Sequence, residues 1–278
     1  MKKEFVDRYG RVGDRRFHYL EWGGGDGPVL VLLHGIGDDA HVWDDFSSPA
    51  SRCFRIIALD QRGHGESDWA IPPAYRSEDY VADLDGVIHA LGLCRIILLG
   101  HSMGALHATR YAALRKERVL ALVHADIEPH PPEWNKKYLT NLYKRLPGEY
   151  ASIEDYAAEL RKNSPYAAAA TLLRNASYAL TEERNGRLRV RYDREVLAHF
   201  DRYDLRPFLP EIKCPALIVR GAESRVMSAA VAREMSTVIP RGRFVEIPAA
   251  THPVHTDNPG DFARAVLAFL EEVSLTIP

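Results

Sequence analysis

The stretch Ile96-Ile97-Leu98-Leu99-Gly100-His101-Ser102-Met103-Gly104-Ala105 decides how the rest of the chain is read. Four consecutive aliphatic residues make a strand buried on both faces. Gly100 and Gly104 then bracket Ser102 at the spacing G-x-S-x-G, and Ala105 to Leu114 carries a helical apolar repeat. In a strand, a one-residue corner and a helix, that serine sits on a strained turn with its hydroxyl exposed at the strand's end. The adjoining helix N-terminus favours negative charge. Glycines flank the corner because side chains there would collide. Ser102 is therefore the candidate nucleophile, and it needs a base, an orienting acid and donors for an oxyanion.

Working outward, Val29–Leu33 is a further wholly apolar strand, and Arg55–Leu59, apolar after its first residue, is another. They end in His34-Gly35-Ile36-Gly37 and in Asp60-Gln61-Arg62-Gly63-His64-Gly65-Glu66-Ser67. Tyr80, Val81, Leu84, Val87, Ile88 and Leu91 recur at helical spacing, and Val119–Val123 leads into His124-Ala125-Asp126. Apolar strands alternating with helices predict an α/β fold with a mostly parallel central sheet flanked by helices. Alternating segments at Phe5–Asp7 and Arg16–Trp22 predict an antiparallel hairpin at the start. From about Pro129 the rhythm changes to helical segments rich in Ala, Tyr and charge, broken only by the polar run Arg187–Tyr192. We therefore expect residues 129–208 to form an inserted helical lid, with 1–128 and 209–278 forming the core. The core resumes at Pro215–Gly221 and closes with a helix near Ala229–Met235, a strand Arg243–Ile247 and a helix from Asp261 to about Val273.

At 278 residues and 46% hydrophobic, the chain suits one large domain with an insertion. A net charge of −2 argues against nucleic acid as a partner. No apolar run approaches a membrane span and Met1-Lys2-Lys3-Glu4 leads into no signal core, so a cytoplasmic protein without membrane attachment is expected. Cys53, Cys94 and Cys214 are odd in number and scattered, which predicts buried thiols rather than a disulfide or metal site. No cofactor and no metal is expected. The partner should be a small-molecule substrate, with the chain a monomer or homodimer.

With these parts laid out, the chain resembles the α/β-hydrolase superfamily over nearly its whole length. His34-Gly35-Ile36-Gly37 is similar to the family's oxyanion loop, Asp60–Ser67 to its D-x-R-G-x-G-x-S turn, Gly100–Gly104 to its nucleophile elbow and Ala250-Thr251-His252 to its histidine loop. A serine at the elbow separates the chain from the dehalogenase and epoxide-hydrolase branches, which use aspartate there. The resemblance implies His252 as base, although Thr251 stands where a glycine usually precedes it, and His255 is the rival. It also implies an oxyanion hole built from the backbone N–H groups of Ile36 and Met103. Most of the family carries the acid three residues after the glycine ending Ala216–Gly221. Here that position is Ser224, which cannot carry charge. Resemblance to a minority branch, with an aspartate followed by an apolar residue and x-Pro, implies Asp126 instead; Glu223 and Glu128 are the alternatives. Asp126 also reads as a loop cap before a proline-rich turn.

Arg220–Ser228 resembles bacterial hydrolases that include esterases and 2-(acetamidomethylene)succinate hydrolase-like enzymes, although the lid carries no visible match to the latter. His34, Gly35, His101, Trp134 and Arg189 are candidate substrate contacts, with packing or loop support as the other reading of His34 and His101. Asp60 and Arg62 are expected as turn-formers. Arg187, Arg189 and Arg191 alternate along an extended segment. Glu182, Glu183, Asp193 and Glu195 lie nearby, favouring a mutually neutralised face over an anion-binding wall. The expected activity is hydrolysis of a small acyl substrate, foremost a carboxylic ester, through an acyl-enzyme. The alternatives are amide or carbon–carbon bond hydrolysis of an anionic metabolite, or a hydrolase-fold ligand receptor or regulator.

Overall fold

The computed structural model describes residues 4–24, 28–130, 141, 146–200 and 203–274. The hairpin forms as its alternation predicts: β1 (Phe5–Val12) pairs antiparallel with β2 (Arg15–Trp22) across the two-residue turn Gly13-Asp14. Then follow β3 (Val29–Leu33), α1 (Asp44–Ala50), β4 (Arg55–Leu59), α2 (Ser77–Ala90), β5 (Ile96–His101), α3 (Met103–Leu114) and β6 (Val119–Ala125). The insertion contributes β7 (Glu149–Tyr150), α4 (Ile153–Asn163), α5 (Ala169–Ala179), β8 (Leu180–Glu182), β9 (Leu188–Val190) and α6 (Glu195–His199). The core closes with β10 (Ala216–Gly221), α7 (Ala229–Val238), β11 (Gly242–Ile247), α8 (Val254–Asp257) and α9 (Pro259–Ser274).

Eight strands form one sheet in the order β1-β2-β4-β3-β5-β6-β10-β11, parallel from β4 to β11. The chain winds outward from β3 in both directions, to β4 on one side and β5 on the other. Such a reversal leaves a crevice beyond the strands' C-terminal ends. Successive side chains of a strand face opposite ways, and the core divides accordingly. Val31, Leu33, Ile57, Leu59 and Leu98 pack under α2, α3 and α7. Leu30, Leu32, Ile56, Ala58, Ile97 and Leu99 pack under α1 and α9, against Trp43, Phe46 and Phe262. Both faces are covered, which is why these strands read as unbroken apolar runs.

Three expectations are corrected. The insertion is not purely helical: β7, β9 and β8 make a three-stranded antiparallel sheet with an apolar cluster that includes Tyr150, Tyr156, Leu172, Leu180 and Val190. The polar run read as a lone exception is one strand of it. It docks on the core through Arg174 to Asp45 at 2.6 and 3.0 Å, a Tyr178–His41 stack at 3.3 Å, Tyr75 to Asp193 at 2.5 Å, and Val196, buried with Ala70, Tyr75, Tyr80 and Met103. Of the cysteines only Cys214 is buried; Cys53 and Cys94 are exposed, at the loop after α1 and the turn before β5.

Asp60 and Arg62 are more than turn-formers. Asp60 accepts from the backbone N–H groups of Ala40 and Glu66 and pairs with His18, tying the loops after β3 and β4 together. Arg62, 3% exposed, pairs with both oxygens of Asp83 and donates to the carbonyls of Ala74 and Asp79. Removing one partner of a buried ion pair strands the other in low dielectric. Arg62→Ala should therefore cost about 3–5 kcal/mol, seen as a lowered urea midpoint with little change in slope. A loss within the range of an exposed turn residue, under about 0.5 kcal/mol, would contradict this.

Candidate active site

The site assembles where β3, β5, β6, β10 and β11 end. At the close of β5 the chain turns within one residue, and Ser102 takes φ 51°, ψ −121°. A Cβ at Gly100 would stand 2.3 Å from the carbonyl oxygen of Gly104, and one at Gly104 would stand 2.2 Å from that of Leu33. No side chain fits either position, so both glycines of the motif are dictated by packing. Among the described residues, the non-glycine residues with positive φ are Ser102, Asp126 and Ala249. The first two follow β5 and β6, and the third lies in the loop before His252. A left-handed backbone at a non-glycine residue stores strain that the surrounding structure must hold.

His252 Nε2 lies 3.0 Å from Ser102 Oγ, and His252 Nδ1 lies 3.0 Å from Asp126 Oδ1. An ionised carboxylate only accepts, so Nδ1 carries the hydrogen and Nε2 offers its lone pair to the serine hydroxyl. Asp126 is fully buried. Its Oδ1 also accepts from Ser224 Oγ at 2.5 Å, and its Oδ2 accepts from the Gly221 backbone N–H at 2.8 Å. A buried carboxylate is tolerated only with such partners.

Ser224, dismissed on sequence because it cannot carry charge, is thus a donor to the carboxylate. Its loop is stitched by Arg220, whose guanidinium donates to the carbonyls of Ala222, Ser224 and Met227 at 2.7–3.1 Å. The signal was present in the pairing of a hydroxyl at one acid position with an aspartate at the other. Glu223 instead faces outward and accepts from Tyr166 Oη at 2.6 Å, and Glu128 accepts from the Ser228 backbone at 3.3 Å.

Thr251, where a glycine was anticipated, is accommodated because its N–H and hydroxyl both donate to Asp257 Oδ2, at 2.8 and 2.5 Å. His255, the rival base, is buried and stacked on Trp43 at 4.4 Å. Neither of its ring nitrogens has a hydrogen-bond partner, and burial pushes its pKa down to about 3.

Two candidate substrate contacts are corrected. His34 is fully buried; it donates from Nδ1 to the Gly35 carbonyl at 2.7 Å and accepts at Nε2 from the Gln61 N–H at 3.0 Å. Both nitrogens are spent holding the oxyanion loop, and burial lowers its pKa. Gln61 extends the network to the His34 carbonyl and to His107 Nδ1, a connection the sequence did not disclose. His101 is also buried, and its Nε2 donates to the His252 carbonyl at 2.9 Å, so it supports the backbone of His252. Gly35 is buried, its Cα side close to Ser102 Cβ. Ile36 packs against the apolar cluster that contains Met103, bringing the two expected oxyanion residues together. Arg189 lies in β9, paired with Glu183 and set over the Trp69 ring at 5.3 Å; Arg187 pairs with Glu149 and Arg191 with Glu66. Trp134 lies outside the described residues.

A family model of the alpha/beta hydrolase fold matches residues 28–259. The chain is 31% identical over 253 residues to 2-(acetamidomethylene)succinate hydrolase of Mesorhizobium japonicum, covering 89% of each chain. It is 29% identical over 259 residues to N-formylmaleamate deformylase of Pseudomonas putida, covering 92% of this chain and 93% of that one. The crystal structure of E-2-(acetamidomethylene)succinate hydrolase superimposes with a TM-score of 0.89 at 29% identity, covering 96% and 99% of the two chains.

Ser224→Ala should slow hydrolysis of a 4-nitrophenyl ester about tenfold, the worth of one charge-assisted hydrogen bond of roughly 1.4 kcal/mol. Glu223→Gln, which loses only the Tyr166 contact, should change kcat/KM less than about threefold, a barrier change under about 0.7 kcal/mol. Reversed magnitudes would point to Glu223 in place of Asp126 as the carboxylate that matters.

Proposed function

The chain belongs to the alpha/beta hydrolase fold family, and on that premise we propose that it is a serine hydrolase cleaving a small acyl substrate, foremost a carboxylic ester, through an acyl-enzyme. The observation that carries this reading is the unbroken hydrogen-bonded chain from Ser102 Oγ through His252 to the buried Asp126 carboxylate. In the first step Ser102 Oγ attacks the carbonyl carbon while His252 Nε2 takes the hydroxyl proton. The carbonyl oxygen becomes the oxyanion and is met by the backbone N–H groups of Ile36 and Met103. As the tetrahedral species collapses, the C–O bond to the leaving group breaks and the imidazolium returns its proton to the departing oxygen. Water, deprotonated by the same imidazole, then attacks the acyl-enzyme and releases the acid and Ser102. Asp126 holds the imidazole in the tautomer that makes both transfers possible and stabilises the imidazolium.

A second reading, amide hydrolysis of a carboxylated metabolite, is favoured by the similarity to enzymes named for a succinate and a maleamate derivative. Against it, the three lid arginines offered as its sequence clue are each paired with a glutamate. Kinetics of neutral esters beside anionic amides separates the two, and multiple turnover separates either from a receptor.

A serine-directed phosphonate should add one adduct to the wild type, and Ser102→Ala should abolish both labelling and turnover. Labelling that survives the substitution would place the nucleophile elsewhere. Asp126→Asn, which keeps the shape but loses the negative charge and replaces one acceptor oxygen by an N–H donor, should lower kcat by about two to four orders of magnitude; the corresponding change in a serine protease costs about 10⁴.

A further inference from the structure

Within the oxyanion loop the pattern of exposure is uneven. His34 and Gly35 are buried, as are Asp39 and Ala40, while Ile36, Gly37 and Asp38 between them stay half-buried, as do Ser102 and His252. The position beside Gly35 Cα where a Cβ would stand is 3.0 Å from Asp38 Oδ2, 3.1 Å from His101 Nδ1 and 3.3 Å from Ser102 Cβ. The Asp38 carboxyl therefore lies within about 6 Å of the nucleophile's Cβ.

Its neighbour there reinforces the electrostatic sign. His101 donates its Nε2 hydrogen to the His252 carbonyl, which leaves Nδ1 with a lone pair, and that atom is buried without a hydrogen-bond partner. Asp38 Oδ2 and His101 Nδ1, both acceptors, thus lie close to one point beside Ser102 Cβ. The Asp38 carboxyl is hydrogen-bonded to the Gly35 backbone, and the positive charge acting on it is that of His252 when protonated.

We propose that Asp38 is a specificity-determining residue: its carboxylate repels a substrate with a negative charge near the scissile carbonyl and favours a neutral acyl group, or one presenting a hydroxyl or ammonium hydrogen there. Burial pushes the Asp38 pKa up to about 6, so at neutral pH the carboxyl is mostly ionised. A substrate carboxylate held about as far from Asp38 as Ser102 is, roughly 6 Å, would be repelled enough at a partly exposed site to change an affinity about tenfold to a hundredfold. The inference rests on Ser102 as nucleophile, and it gives that site a substrate class distinct from the carboxylated compounds for which the similar enzymes are named.

The test uses two phosphonate probes with the same 4-nitrophenol leaving group, one bearing a neutral butyl chain and one a chain of equal length ending in a carboxylate. The readout is the ratio of their rates of Ser102 labelling by mass spectrometry, which needs no knowledge of the natural substrate. The wild type should favour the neutral probe by more than about tenfold. Asp38→Asn, which keeps an acceptor for the Gly35 backbone, should reduce that ratio at least about fivefold. Asp38→Ser should do the same if the Asn variant does not fold, and Asp38→Glu should retain the preference. A ratio unchanged in the Asn and Ser variants, or a wild type indifferent to charge, would overturn the inference alone. No labelling of Ser102 by either probe would overturn the nucleophile assignment and the inference with it.

Discussion

The carboxylate of Asp126 is the constraint around which the site is arranged. It is fully buried and accepts from His252, Ser224 and the Gly221 backbone. An ionised group withdrawn from water is tolerable only when such partners replace the lost hydration. Those donors come from the loop after β11, the loop after β10 and the end of β10 itself. The carboxylate bonded to the imidazole therefore also fixes three chain segments against one another. Its own backbone is held in a left-handed conformation, with its N–H on the Val219 carbonyl at 2.8 Å. His124 adds support by donating from Nε2 to the Ile127 carbonyl at 2.8 Å.

Buried imidazoles add a second set of supports around the oxyanion loop and the elbow. Burial drives the pKa values of His34, His101 and His107 down. These imidazoles act as fixed-tautomer hydrogen-bonding spacers, not as charges. His34 and Gln61 clamp the oxyanion loop to the turn after β4, and His101 bridges the elbow to the carbonyl of His252. This division leaves His252 half-buried as the imidazole bonded to Ser102. Preorganised donors and a single mobile proton are what acyl transfer asks of such a site.

The α/β fold was legible because its signals are local: apolar strands, helical repeats, and the two glycines at Ser102 whose need is visible in the 2.2–2.3 Å approaches they permit. The choice among twelve histidines and several acids depended on resemblance. Nothing local distinguishes His252 from His255 until the loop after β11 is folded. Ser224 was misjudged because a hydroxyl was weighed for the charge it lacks and not for the proton it can donate. The three-stranded sheet of the insertion escaped because its strands are two or three residues long, too short for a period to register. The sequence reading passed over Asp38, because its approach to Ser102 emerges only from the backbone path of the loop after β3.

The central claim is that His252 is oriented by Asp126, and the proton between them reports on it most directly. An imidazole N–H shared with a buried carboxylate should give a far-downfield proton NMR signal, because hydrogen bonds to ionised acceptors are short and strong. That signal should persist in Glu223→Gln and vanish in Asp126→Asn. A signal that survives loss of the Asp126 carboxylate and disappears with that of Glu223 would contradict the account.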